Sequence, residues 1–96
     1  MSDRDAYVEK FKARIDQWNA DIDKLEAKAK EARADARIEH EKRIREARAK
    51  RDAAQGKLDE LRNASGEAWE DVKQGAERAW SACREAVEDA AARFKS

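Results

Sequence analysis

Proline is absent from this 96-residue chain, so nothing covalent obliges a helix to stop anywhere along it. Cys83 is the only cysteine and His40 the only histidine. An internal disulfide is excluded, and the zinc and nucleophile patterns lack their second members. Glycine occurs only at 56, 66 and 75, too sparsely for a phosphate loop or a nucleophile elbow. Leu, Ile, Val and Phe together number 12, which makes a thin core for a monomer of this size. Net charge is also missing: 22 basic residues cancel 22 acidic ones, whereas a disordered chain wants a large imbalance. No apolar run approaches the ~18 residues of a membrane span, and the charged first ten residues lack the apolar core of a signal peptide. A cytoplasmic protein is the expectation.

What the chain does have is helix-forming sequence. Ala, Glu, Lys, Leu and Arg supply 58 of the residues, the composition of long helices and coiled coils. Leu25, Ala36, Ala47, Leu58, Trp69, Trp80 and Ala91 follow one another at eleven-residue steps. Eleven residues make three turns at about 3.67 residues per turn, so one helix face keeps returning to the same side. Alanine is the best helix former but buries little area, and 21 of the apolar residues are alanines. Self-association is the natural remedy.

Ser2 or Asp3 can cap the first helix, with Asp3, Asp5 and Glu9 suited to its positive end. Apolar residues then step by three and four through Val8, Phe11, Ile15, Trp18, Ile22, Leu25, Ala29, Ala32 and Ala36, a heptad seam. Beyond Ala36 that frame would bury Glu39, Arg43 and Glu46, and the eleven-residue frame takes over through Ile44, Ala47, Ala54, Leu58 and Leu61. Residues 63–66, Asn-Ala-Ser-Gly, are the one turn signal: Asn63 or Gly66 suits a left-handed position, and Ser65 suits a cap. The seam nonetheless continues in phase through Trp69, Val72, Trp80, Cys83, Val87 and Phe94, with Ala68-Trp69 and Ala79-Trp80 opening an internal repeat.

The predicted fold is all-α: a long-helix coiled coil in a single domain over 1–96. It folds as a hairpin with a long helix over 3–62, a turn near 63–66 and a shorter helix over 66–94. One continuous helix is the alternative. In the hairpin, Trp69, Val72, Trp80, Cys83, Val87 and Phe94 face Ala47, Ala54, Leu58 and Leu61, large side chains against small. The long helix then overhangs its partner, leaving Val8, Phe11, Ile15, Trp18, Ile22 and Leu25 as a wet stripe. A second copy covering it makes a homo-oligomer, a dimer in the simplest case.

Residues 37–51 carry seven Lys or Arg against three Glu. Glu39 with Arg43, Glu41 with Arg45 and Glu46 with Lys50 have the favourable Glu-first order, so the segment reads as a salt-bridged, solvated face rather than a nucleic-acid footprint. His40 reads as a surface histidine and Cys83 as a buried small hydrophobe. No catalytic, cofactor or metal site can be placed. Eleven-residue repeats with tryptophan also suit a helix lying on a bilayer. Residues 67–94, however, hold seven acidic and four basic groups, a balance that anionic lipid repels.

The stretches DAYVEK at 5–10, WNADIDKLEA at 18–27 and ASGEAWEDV at 64–72, together with Ala79-Trp80, resemble a family of small bacterial coiled-coil proteins loosely described as stress-associated. The resemblance runs over nearly the whole chain and implies a bacterial, cytosolic, helical protein linked to stress. It brings no catalytic residues. The eleven-residue period is also similar to that of desiccation-protective helical proteins. The functional expectation is a non-enzymatic structural or interaction protein that self-associates as a stress-related scaffold. The alternative is an amphipathic protein that protects membranes or proteins by binding their surfaces.

Overall fold

The computed structural model describes residues 2–95 as three α-helices: α1 (Asp3–Glu31), α2 (Ala34–Asn63) and α3 (Trp69–Ala92). They run up, down and up, and pack side by side into a bundle measuring 51 × 21 × 18 Å. The Ser2 side chain caps α1 by accepting a hydrogen bond from the Asp5 amide, with Asp3 and Asp5 in the first turn. The turn expected at 63–66 forms between α2 and α3. Ala64 is extended there (φ −68°, ψ 137°), and no described residue has positive φ, so neither Asn63 nor Gly66 takes the left-handed position. Ser65 accepts from the Ala68 amide within the turn, and the Asn63 side chain donates to the Asp59 carbonyl.

The helix expected over 3–62 is instead two helices, broken at Ala32-Arg33. Both residues are extended, at φ −77°, ψ 158° and φ −61°, ψ 153°. Neither is a poor helix former, so the cause is not local. A straight helix would strand Phe11, Ile15, Trp18, Ile22 and Leu25 in water. The fold-back buries all five, leaving none more than 6% exposed, and at roughly 1.5–3 kcal/mol per side chain that burial exceeds the backbone cost of one turn. Part of that cost is recovered on the spot. The Ala32 amide donates to Ala29, the Arg37 amide to Arg33, and the Arg37 guanidinium to the carbonyls of Lys30 (3.1 Å) and Ala32 (3.2 Å). Arg37 thus serves the helix end whose carbonyls have lost their partners.

This break corrects the expected use of the amino-terminal stripe. Val8 is half-buried and the other five residues lie in the core of the same chain, so they are not left for a second copy to cover. Helices of 29, 30 and 24 residues leave no long overhang. The eleven-residue series fails at one place for the same reason. Ala36 sits just beyond the break and is exposed, while Leu25, Ala47 and Leu58 are buried.

The hairpin residues do pack as a core: Ala47, Ala54, Leu58, Leu61, Cys83 and Val87 are buried, with Trp69, Val72, Trp80 and Phe94 half-buried against them. Their partners differ from the expected large-on-small arrangement. Alanines at 47, 54 and 76 let α2 and α3 approach closely. The tryptophans of α3 turn toward α1. Trp80 meets Phe11 (ring centroids 5.2 Å) and Trp18 (5.3 Å, edge-on), and Trp69 meets Tyr7 (5.8 Å, edge-on). At the other end of the bundle Phe94 stacks on His40 at 3.8 Å, giving that histidine a packing role.

Candidate interaction groove

On α1, residues 7, 10, 14 and 17 step by three, four and three, so Tyr7, Lys10, Arg14 and Gln17 form one stripe along the helix. On α3 the matching stripe is Glu77, Ser81 and Arg84, with Trp80 between them. Because α1 and α3 run parallel and touch chiefly through aromatic rings, a shallow groove lies open between the two stripes. Its first half, about 320 Å³, is lined by Tyr7, Lys10, Phe11, Glu77, Trp80 and Ser81. The second half, about 460 Å³, is lined by Lys10, Ala13, Arg14, Gln17, Trp80 and Arg84. Lys10 and Trp80 belong to both halves, so the half-buried indole is the floor of one continuous channel.

The electrostatics of the second half are one-sided. Lys10, Arg14 and Arg84 line it without a single carboxylate, and none of the three has an ion-pair partner among the described residues. Arg14 lies over the Trp18 ring at 5.5 Å, and farther up the same seam Lys73 lies over Tyr7 at 5.1 Å and Arg4 over Trp69 at 4.6 Å. Glu77 is the one acid in the channel. Burial first, and then the Glu77 carboxylate beside it, push the Tyr7 hydroxyl above its ordinary pKa of 10.0. In the second half, Lys10, Arg14 and Arg84 with no carboxylate among them leave a positive, partly apolar surface around the indole.

The groove between α1 and α2 shows the contrast. It is lined by Glu26, Lys30, Glu41, Arg45 and Arg48 beside Ala29 and Ile44, and Arg48 pairs with Glu26. Within the basic segment over 37–51, Arg43, Arg48 and Arg51 are paired in the same way. Arg43 contacts Glu39 (3.1 Å), Glu46 (3.6 Å) and, across to α3, Asp89 (3.6 Å), while Arg51 binds Asp52 and reaches Asn19 on α1. Of the three expected pairs Glu39–Arg43 forms; Glu46 is engaged by Arg43 rather than Lys50, and Glu41–Arg45 is not made.

Cys83 is fully buried, and burial pushes its thiol pKa up to about 11 despite the opposing charges of Arg51 and Arg14. Among the described residues no group of three His, Cys, Asp or Glu side chains comes together as a metal-binding set, and no helix is long and apolar enough to cross a membrane. Arg4 donates to the carbonyls of Leu61 and Ala64, serving the end of α2 as Arg37 serves the end of α1.

Sequence reasoning placed Trp80 and Phe11 in separate interfaces, and the structure brings them together. It did not single out Tyr7, Lys10, Arg14 or Arg84. The stripe on α1 is readable from its spacing, but its pairing with the α3 stripe depends on the fold-back at 32–33. No family model, curated protein or solved structure matches this chain.

Proposed function

We propose that this protein is a non-enzymatic interaction module that holds an acidic, amphipathic partner helix in the α1–α3 groove. The observation that carries this reading is the convergence of Lys10, Arg14 and Arg84, all without ion-pair partners, around the half-buried Trp80. An indole at the floor of a groove is a common anchor for a large apolar side chain, and the flanking cations would select carboxylates one turn to either side. A small ligand fits less well, because a shallow channel cannot enclose most of its surface. Alongside residues 7–17 the groove runs about 15 Å at 1.5 Å per residue, or some three turns of a helix.

A stress-related scaffold role is compatible with such a module, and the family resemblance is its support. A bilayer-binding role draws less from the geometry: Trp18 is buried, Trp69 and Trp80 pack against α1, and among the described residues Ile38 is the one large apolar side chain that stands exposed. The test is a titration of the protein with a synthetic amphipathic helix bearing leucine on one face and glutamate on its flanks, followed by tryptophan emission and amide chemical shifts. Shifts confined to residues 7–17 and 77–84, weakened by salt and by Arg84→Glu, are expected. Equal binding of a lysine-flanked peptide, or no binding of either, would overturn the reading.

A further inference from the structure

The turn between α1 and α2 contains no residue that resists a helix. Over 30–35 the sequence is Lys-Glu-Ala-Arg-Ala-Asp, without glycine or proline, and the two extended residues, Ala32 and Arg33, are among the better helix formers. Straightened, the chain would carry one helix over 3–63, about 90 Å long. Leu25 and Ala47 lie six turns apart in that helix, offset by only about 40°, so the apolar faces of α1 and α2 would form one stripe. What chiefly disfavours it in a single copy is the loss of α1 from the core. A second copy removes that objection, because its own α1 can occupy the vacated place.

We infer that α1 is exchangeable: two copies of this chain open at Ala32-Arg33 and swap α1, each completing the other's bundle. The core contacts of Phe11 and Trp18 with Trp80 are then made between chains instead of within one. Backbone groups at the break exchange their turn contacts for helical partners. The Arg37 bonds to the carbonyls of Lys30 and Ala32, which hold the closed form, are released. Exchange of an identical element needs no new interface, so its cost is confined to the hinge and to the entropy of pairing. Arg37 is the latch, and Ala32-Arg33 is the hinge.

The experiment refolds the full chain from urea at micromolar and at millimolar concentration, then measures mass by sedimentation and length by small-angle scattering. Wild type is expected as a 51 Å monomer from dilute refolding. From concentrated refolding a species of doubled mass and about twice that length should appear. Arg33→Pro separates the swap from simple face-to-face pairing. Arg33 sits at φ −61° and follows a residue at ψ 158°, so proline fits the closed turn and breaks the straight helix. It should raise the dissociation constant more than about a hundred-fold, since an interior proline is far less favourable than any other residue. Arg37→Ala should shift the balance toward the dimer. A doubled-mass species formed equally by Arg33→Pro would overturn the swap, as would a compact dimer or none at all from wild type and Arg37→Ala. If Arg33→Pro loses its helical circular dichroism, the length of the wild-type and Arg37→Ala dimers decides the matter alone.

Discussion

Replacing Trp18 with alanine asks the bundle to stand without the largest side chain in its core. Trp18 is 1% exposed, meets Trp80 edge-on at 5.3 Å and carries Arg14 over its ring. Removing such a residue from a packed core costs roughly 3–5 kcal/mol, the transfer energy of the ring plus the cavity it leaves. A domain of this length has about 5–14 kcal/mol in total, so the loss consumes roughly a fifth of it or more. With about 4–8 °C lost per kcal/mol at this size, the melting midpoint should fall by roughly 12 °C at the least. The assay is urea and thermal unfolding followed at 222 nm at two protein concentrations a hundred-fold apart. In dilute solution, where the monomer prevails, wild type and variant should each unfold at a midpoint independent of concentration. A variant that keeps its stability yet changes its mass would refute the reasoning, because Trp18 would then serve contact between copies rather than the core.

Gly56→Ala should stabilise by about 0.8–1 kcal/mol, because Gly56 lies in α2 with open space where a Cβ would go, and a shifted urea midpoint at unchanged slope would show it. Arg4→Ala should cost about 1 kcal/mol through loss of its bonds to the end of α2 and its place over Trp69, and the same measurement reads it. The Cys83 thiol should resist alkylation at pH 8 in the folded protein and react at once in urea, since burial raises its pKa to about 11. Folding therefore holds a proton that the unfolded chain releases near the ordinary value of 9.0, so stability is full below that pH and falls as pH rises toward 11. Cys83→Ala should flatten this alkaline loss, and an unchanged profile would assign it elsewhere.

Helix existence was legible because it is a local property. The absence of proline, the alanine and salt-bridge content and the three-four spacing of the seam all act within a few residues of one another, and they survive in α1, α2 and α3. The turn after Asn63 was legible for the same reason, since residues 63–66 weaken a helix wherever they are placed. The membership of the core was largely legible too: from Phe11 to Leu25 the seam residues are buried, and from Ala47 to Val87 they are buried or, at Trp69, Val72 and Trp80, half-buried against the core. Which of them meet was not. Pairing Trp80 with Phe11 and Trp18 is a choice among several apolar stripes of similar period, and a repeat that makes every turn alike cannot favour one partner.

Sequence by itself therefore determined that this chain is helical, where it must turn once and which face of each helix avoids water. Tertiary structure decided the second turn, at Ala32-Arg33, against the preference of the residues that form it. The reason is energetic: the helix propensity of two residues is worth a fraction of a kcal/mol, while burying five large side chains is worth roughly 7–15 kcal/mol. That fold-back in turn placed Lys10 and Arg14 beside Arg84 and opened the groove over Trp80. Neither the groove nor the exchangeable helix exists in a chain read one segment at a time.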